Sequence, residues 1–205
     1  MKHSVDELVA IAHQLFPKGM PDRDPRYFET PEVQRQLAAR IPASARYEDW
    51  CALLSRLKAR FTEQGLAGVE VQNLSLFLKV PTAAALLDRC FSADLLLPVR
   101  APSDEHSRLR FFVSFVVPYY TIFREIDAPL GRPKSASDLI TQRTFDMSPE
   151  ELPYSTAIAE EIETSFPGYE PISPAIGQAI VPDVVTGTKW FGEATIFNCL
   201  FSDHW

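Results

Sequence analysis

Across 144–188 the chain has no lysine or arginine at all, although its 205 residues hold 20 of them. The same 45 residues carry eight acids: Asp146, Glu150, Glu151, Glu160, Glu161, Glu163, Glu170 and Asp183. Cysteine is scarce too. Cys51, Cys90 and Cys199 lie far apart in apolar surroundings with no CxxC pair, which argues against a disulfide framework and predicts buried thiols in a reducing compartment. Long apolar runs are missing. The longest, 111–123, is broken by Pro118 and is too short to span a bilayer. Asp6 and Glu7 stand where a signal peptide needs its apolar core. Together these absences predict a cytoplasmic chain with no membrane partner.

Recognisable chemistry is equally sparse. The four histidines, His3, His13, His106 and His204, show no HxH, HxxxH or HExxH spacing, so no metal is expected. GxSxG, GxxxxGK(S/T) and GxGxxG do not occur, and no cofactor is expected. Ser55 and Lys58 match SxxK, but Leu57 between them belongs to an apolar helical stripe and the companion motifs are missing. No catalytic residue stands out.

What is present reads as an ordinary globular domain. A chain of this length can bury about 70% of its unfolded surface and needs no staple. It is 46% apolar and 23% charged, with a net charge of −7. Residues 1–100 carry 13 bases against 12 acids, while 101–205 carry 7 bases against 15 acids. A nucleic-acid binder needs a positive surface, which this distribution does not offer.

Ser4-Val5-Asp6-Glu7 is a capping box that predicts a first helix ending near Phe16, before Pro17 and Gly19. Thr30-Pro31 restarts a helix that Ile41-Pro42 is expected to end. Trp50, Leu53, Leu54, Leu57 and Phe61 make an apolar stripe over a helix expected at 44–61. Val69, Val71, 74–80 and 95–99 look like strand, and 83–90 like a short helix. In 111–123 every residue but Ser114 and Pro118 is β-branched or aromatic, which predicts a strand covered on both sides, with a bulge or a change of neighbour at Pro118. Ser148-Pro149-Glu150-Glu151 caps a helix whose stripe is Tyr154, Ile158, Ile162 and Phe166. A short helix should run from Ser173-Pro174 towards Pro182, and 193–201 reads as a last strand. The expected architecture is α+β over 1–205 as one domain: a mainly antiparallel sheet with interior aromatic strands, covered by amphipathic helices. Trp50, Leu53, Leu57, Phe115, Ile158, Ile162 and Phe197 are its expected core.

Glu150, Glu160, Glu161 and Glu163 fall opposite the apolar stripe of their helix, and Glu170 follows it. The plainest reading of such a run is a solvated face. The second is a charge-complementary face for a basic protein partner, and these five residues are the candidates for it. Catalytic work by such carboxylates would require burial or a fixed partner. At the C-terminus, Asp203-His204 could contribute to a site assembled in three dimensions, although a packed or frayed tail is the usual state of such an end.

Two segments carry a resemblance: Phe112-Val113-Ser114-Phe115-Val116-Val117-Pro118-Tyr119-Tyr120, and the C-terminal stretch from Gly192 to Trp205, which contains Leu200-Phe201-Ser202-Asp203-His204-Trp205. With the helix that starts at Ser148 between them, 108–205 resembles bacterial proteins found beside polymorphic or secreted antibacterial toxins and taken to be their immunity proteins. The resemblance implies a cytoplasmic antitoxin that binds one cognate toxin and occludes its active site. It carries over no catalytic residue. An acidic surface suits a toxin with a basic cleft. The alternatives are an enzyme with a scattered site, or a structural or oligomerisation protein using its aromatic strands.

Overall fold

A computed structural model of the chain describes residues 2–64, 69–75, 89–97, 106–129 and 139–203. The elements run α1 (Val5–Leu15), a 3-10 turn (Tyr27–Glu29), α2 (Pro31–Ala45), α3 (Tyr47–Glu63), β1 (Glu70–Asn73), β2 (Cys90–Leu96), β3 (His106–Ser114), β4 (Tyr119–Pro129), β5 (Leu139–Thr144), α4 (Leu152–Ser165), β6 (Glu170–Pro171), α5 (Pro174–Gly177) and α6 (Ile196–Leu200). Strands β1 to β5 form an antiparallel sheet in sequence order, and β6 joins β4 in parallel beyond the end of β5. The fold is α+β, with a mainly antiparallel sheet whose aromatic strands lie inside it.

The expected single strand over 111–123 is instead a hairpin. Both of its faces are apolar because β3 and β4 are two central strands, paired from His106↔Asp127 to Val113↔Tyr120. Ser114 and Pro118, the two residues that broke the β pattern, bound the reversal. Ser114 Oγ accepts from the amides of Val116 (3.3 Å) and Val117 (3.4 Å) and donates to the Leu200 carbonyl (2.7 Å). A hydroxyl satisfying amides two and three residues on is a turn-forming arrangement, and proline has no amide to lose there. Phe115 sits in this turn and is half-buried, not core.

The expected strand over 193–201 is also overturned: 196–200 is helix α6. Thr195 Oγ1 accepts from the Asn198 amide (3.3 Å), and Asn198 Oδ1 accepts from the Thr195 amide (2.9 Å), a reciprocal cap that starts the turn. Ile196, Phe197, Cys199 and Leu200 are all fully buried, so the segment is apolar all round and carries no periodicity to distinguish it from a strand. Gly177 lies under the Phe197 ring, where a Cβ would overlap the aromatic carbons.

Other boundaries shift by shorter distances. Helix α2 runs three residues past Pro42, which stands in its last turn, and α3 starts at Tyr47 rather than 44. Cys51 on α3 is half-buried, unlike Cys90 and Cys199, and all three thiols are free. At α4 the Ser148–Glu151 cap forms a turn ahead of the helix, with the Ser148 amide donating to Glu151 Oε2 at 2.9 Å. Helix α5 stops at Gly177, well short of Pro182. The expected strand residues 76–80 and 98–99, most of the expected helix 83–90, and His204 lie outside the described residues.

Each sheet face has its own cover. Leu109, Phe111, Val113, Phe91 and Tyr120 meet α3 and α4 through Trp50, Leu53, Leu57, Ile158 and Ile162, with Trp50 stacked on Phe91 at 5.4 Å. On the other face Cys90, Phe112, Tyr119 and Phe123 meet α1 and the C-terminal segment through Leu8, Ala12, Phe197 and Phe201. The capping box of α1 is made as expected, with the Ser4 amide donating to Glu7 Oε2 at 2.7 Å.

Candidate functional site

Helix α4 lies on the face it shares with α3, and that placement changes what its acids can do. Glu160 receives Arg60 Nη2 at 2.7 Å and Glu161 receives Arg56 Nε at 2.8 Å, both from α3. Tyr120 OH donates to Glu163 at 2.7 Å. Glu170 accepts from the Lys2 amide at 2.6 Å. Burial would raise the Glu170 carboxyl, but the Lys2 amide bond and charge hold it below the usual range. Glu150 is exposed in the turn before α4. From Leu152 to Glu163 the helix rises about 17 Å, so Glu160, Glu161 and Glu163 are spread along α4, while Glu170 stands apart in β6 opposite Tyr119, and the candidates do not converge on one point.

Of the eight acids between 144 and 188, Asp146, Glu150, Glu160, Glu163 and Asp183 are exposed, Glu161 and Glu170 are half-buried, and Glu151 is buried. Glu151 has a structural task. It meets Arg124 Nε at 3.1 Å and thereby pins the start of α4 to β4. The exposed pair between Glu160 and Arg60 holds its partners weakly, because water and salt screen it.

A second charged group was not recognised in the sequence. On the sheet face that carries Phe112 and Phe123, the opposite end is ionic. Glu125 on β4 is 0% exposed and receives Arg108 (2.8 Å), Arg110 (3.0 Å) and Arg143 (2.7 Å). Asp94 on β2 receives Arg110 at 2.6 Å and Arg108 at 3.4 Å. Asp127 receives Arg108 Nη1 at 2.5 Å and the Thr141 hydroxyl at 2.7 Å. Burial would raise the Asp127 carboxyl, but Thr141 and Arg108 outweigh it and hold it below the usual range. Burial would lower the Arg110 guanidinium, but the bond to Asp94 and its charge leave it raised. Among the described residues of this group three acids answer three arginines. The signal for it lay in Arg108-Leu109-Arg110 and Glu125-Ile126-Asp127, alternating charges of opposite sign on two strands that pair.

A third group sits beneath the C-terminal segment. Arg89 and Asp203, both 2% exposed, form an ion pair, and Arg89 Nη2 also donates to the Asn198 carbonyl at 2.6 Å. Asp203 Oδ2 accepts from the Gly187 amide at 2.9 Å, and its carbonyl accepts from the Thr188 hydroxyl. Burial pushes the neighbouring Cys199 thiol up to about 12, so it stays protonated and unreactive. Asp203 is therefore a buried anchor for the loop that leads to Trp190.

Trp190 is 53% exposed and Phe191 43%, at the tip of that loop. Tyr119 and Tyr120, by contrast, are both buried.

Among the described residues no group of three or more His, Cys, Asp and Glu is placed to hold a metal ion. No helix among them is long and apolar enough to cross a membrane. No known protein family, curated protein or solved structure matches this chain.

Proposed function

We propose that this chain is a binding protein of the immunity type, which neutralises a cognate antibacterial toxin by covering a basic active-site cleft. The observation that carries the reading is the segment 144–188: it has no base, and five of its eight acids reach solvent. An acidic surplus of this kind, offset only in part by Arg56 and Arg60 beside Glu161 and Glu160, raises the encounter rate with a basic protein and repels nucleic acid. The likeness of 108–205 to immunity proteins supports the same reading. Such a protein works in the cytoplasm, where its toxin would otherwise act. Glu160, Glu161 and Glu163 on α4, with Glu150 in the turn before it and Glu170 in β6, supply the field. Occlusion asks for no catalytic group and no cofactor in this chain.

The test uses the product of the gene adjacent to this one. Expressed alone it should arrest growth, and co-expression of this chain should restore growth and yield a co-purifying complex. A harmless neighbour, or a toxic one that this chain neither binds nor counteracts, would overturn the proposal.

A further inference from the structure

We infer that the turn carrying Trp190 and Phe191 is the apolar anchor by which this protein seats in a pocket of a basic protein partner. The inference rests on the binding role proposed above and names the contact, which charge alone does not supply. The two aromatics are adjacent and among the most exposed large apolar side chains described. Trp and Arg are the residue types most enriched at energetic hot spots, and here the Arg23 guanidinium lies 5.8 Å from the centre of the Trp190 ring.

The turn is held in shape from below and within. Thr186 and Lys189 exchange backbone hydrogen bonds of 3.0 and 3.4 Å. The Gly187 amide and the Thr188 hydroxyl are bound by the buried Asp203. Glu193 Oε2 accepts from the Trp190 amide at 3.0 Å, and the Glu193 amide donates to the Trp190 carbonyl at 3.0 Å. Gly192 takes φ +78°, a conformation that a side chain would strain. Rigid aromatics lose little freedom on binding, so such a turn is prepared for contact.

Charge selects the occupant. The chain carries −7, which opposes a second copy, a nucleic acid and an anionic membrane alike, and favours a basic protein. Glu193 and Asp183, both exposed, are the nearest exposed acids in sequence to the turn, beside Lys189 within it and Arg23 over Trp190. The α4 ridge lies on the other sheet face, so its acids steer the encounter while the turn makes the seat.

The experiment compares wild type, Trp190→Ala/Phe191→Ala and Gly192→Ala by calorimetry against the purified product of the adjacent gene. The double variant should weaken Kd about 30-fold or more, with the far-ultraviolet spectrum and melting temperature unchanged. Gly192→Ala, which meets no atom within 4 Å, should weaken it by a smaller factor through the turn's shape alone. Binding by wild type and equal binding by the double variant would overturn the anchor and leave the proposed function standing. If the adjacent product does not bind wild type, a photo-cross-linker at position 191 in the native cells decides the matter. An adduct with a basic protein that, once purified, binds wild type and loses about 30-fold with the double variant supports the anchor. No adduct, an acidic partner, equal binding by both forms, a dimer dissolved by the double variant, or capture by phosphatidylserine vesicles overturns it.

Discussion

Two sets of acids in this chain end in opposite states. Asp94, Glu125 and Asp127 lie on the sheet, each within reach of arginines on neighbouring strands, and together with Arg108, Arg110 and Arg143 they balance. The acids of 144–188 have no base in their own segment and borrow theirs from elsewhere: among the described residues, Arg56 and Arg60 for Glu161 and Glu160, Arg124 for Glu151, and Lys2 beside Glu170. The first set is fixed by register, because strands that pair bring Arg108 against Glu125 and Arg110 against Asp94. The second is set on α4, in turns and in the short strand β6, where most of its members meet water. A buried acid with three partners contributes to fold specificity, whereas an exposed surplus acts at a distance on whatever approaches.

The comparison breaks most visibly at Glu125. Glu125→Ala should lose about 3–5 kcal/mol in a denaturant melt, since it leaves three arginines around an empty site. A loss under about 1 kcal/mol would show that the ionic end of the sheet is solvated. Glu151 sharpens the contrast because it belongs to the acidic segment by sequence and to the fixed set by structure. Glu151→Ala should lose about 1–3 kcal/mol, read in the same assay, by leaving Arg124 and the Ser148 amide without their acceptor. Asp127 makes the fixed set pH-dependent. Its folded carboxyl is held below the usual range, so its stabilisation is present above about pH 4 and is lost as pH falls through the depressed value. The acid melt of Asp127→Asn should be flatter below about pH 4 than that of wild type. Smallest of all is Glu160→Ala, which should shift stability by about 1 kcal/mol or less because its pair with Arg60 is exposed.

The fold was legible where a local signal had only one structural meaning. Ser4 and Glu7 cap α1, Trp50 to Phe61 stripe α3, and Ile158 and Ile162 stripe α4, because a helix with one wet side leaves a period of 3.6 in the sequence. Legibility failed where burial was complete. A hairpin between two central strands and one strand covered on both sides have the same composition, and only Ser114 and Pro118 marked the turn. Helix α6, buried all round, has no wet side to reveal its period. The candidate site was half legible. The run without a base was plain, but which of its acids find a partner depends on Arg56, Arg60 and Arg124, about 30 to 105 residues away in sequence and brought close only by the packing of α4. The Trp190 turn left no local signal of its shape, because Asp203, which holds it from beneath, is more than ten residues away in sequence.

The central claim is that the exposed surplus steers a basic protein onto this chain. Its most direct test is the association rate of the adjacent gene's product with wild type and with Glu160→Lys/Glu163→Lys, measured by stopped flow from low to high salt. Wild type should associate faster at low salt, and the reversed variant should be slower with a shallower salt dependence, while both melt alike and converge once the Debye length falls to about 3 Å near 1 M salt. Equal rates and equal salt slopes for the two proteins would contradict the claim and return α4 to a solvated surface.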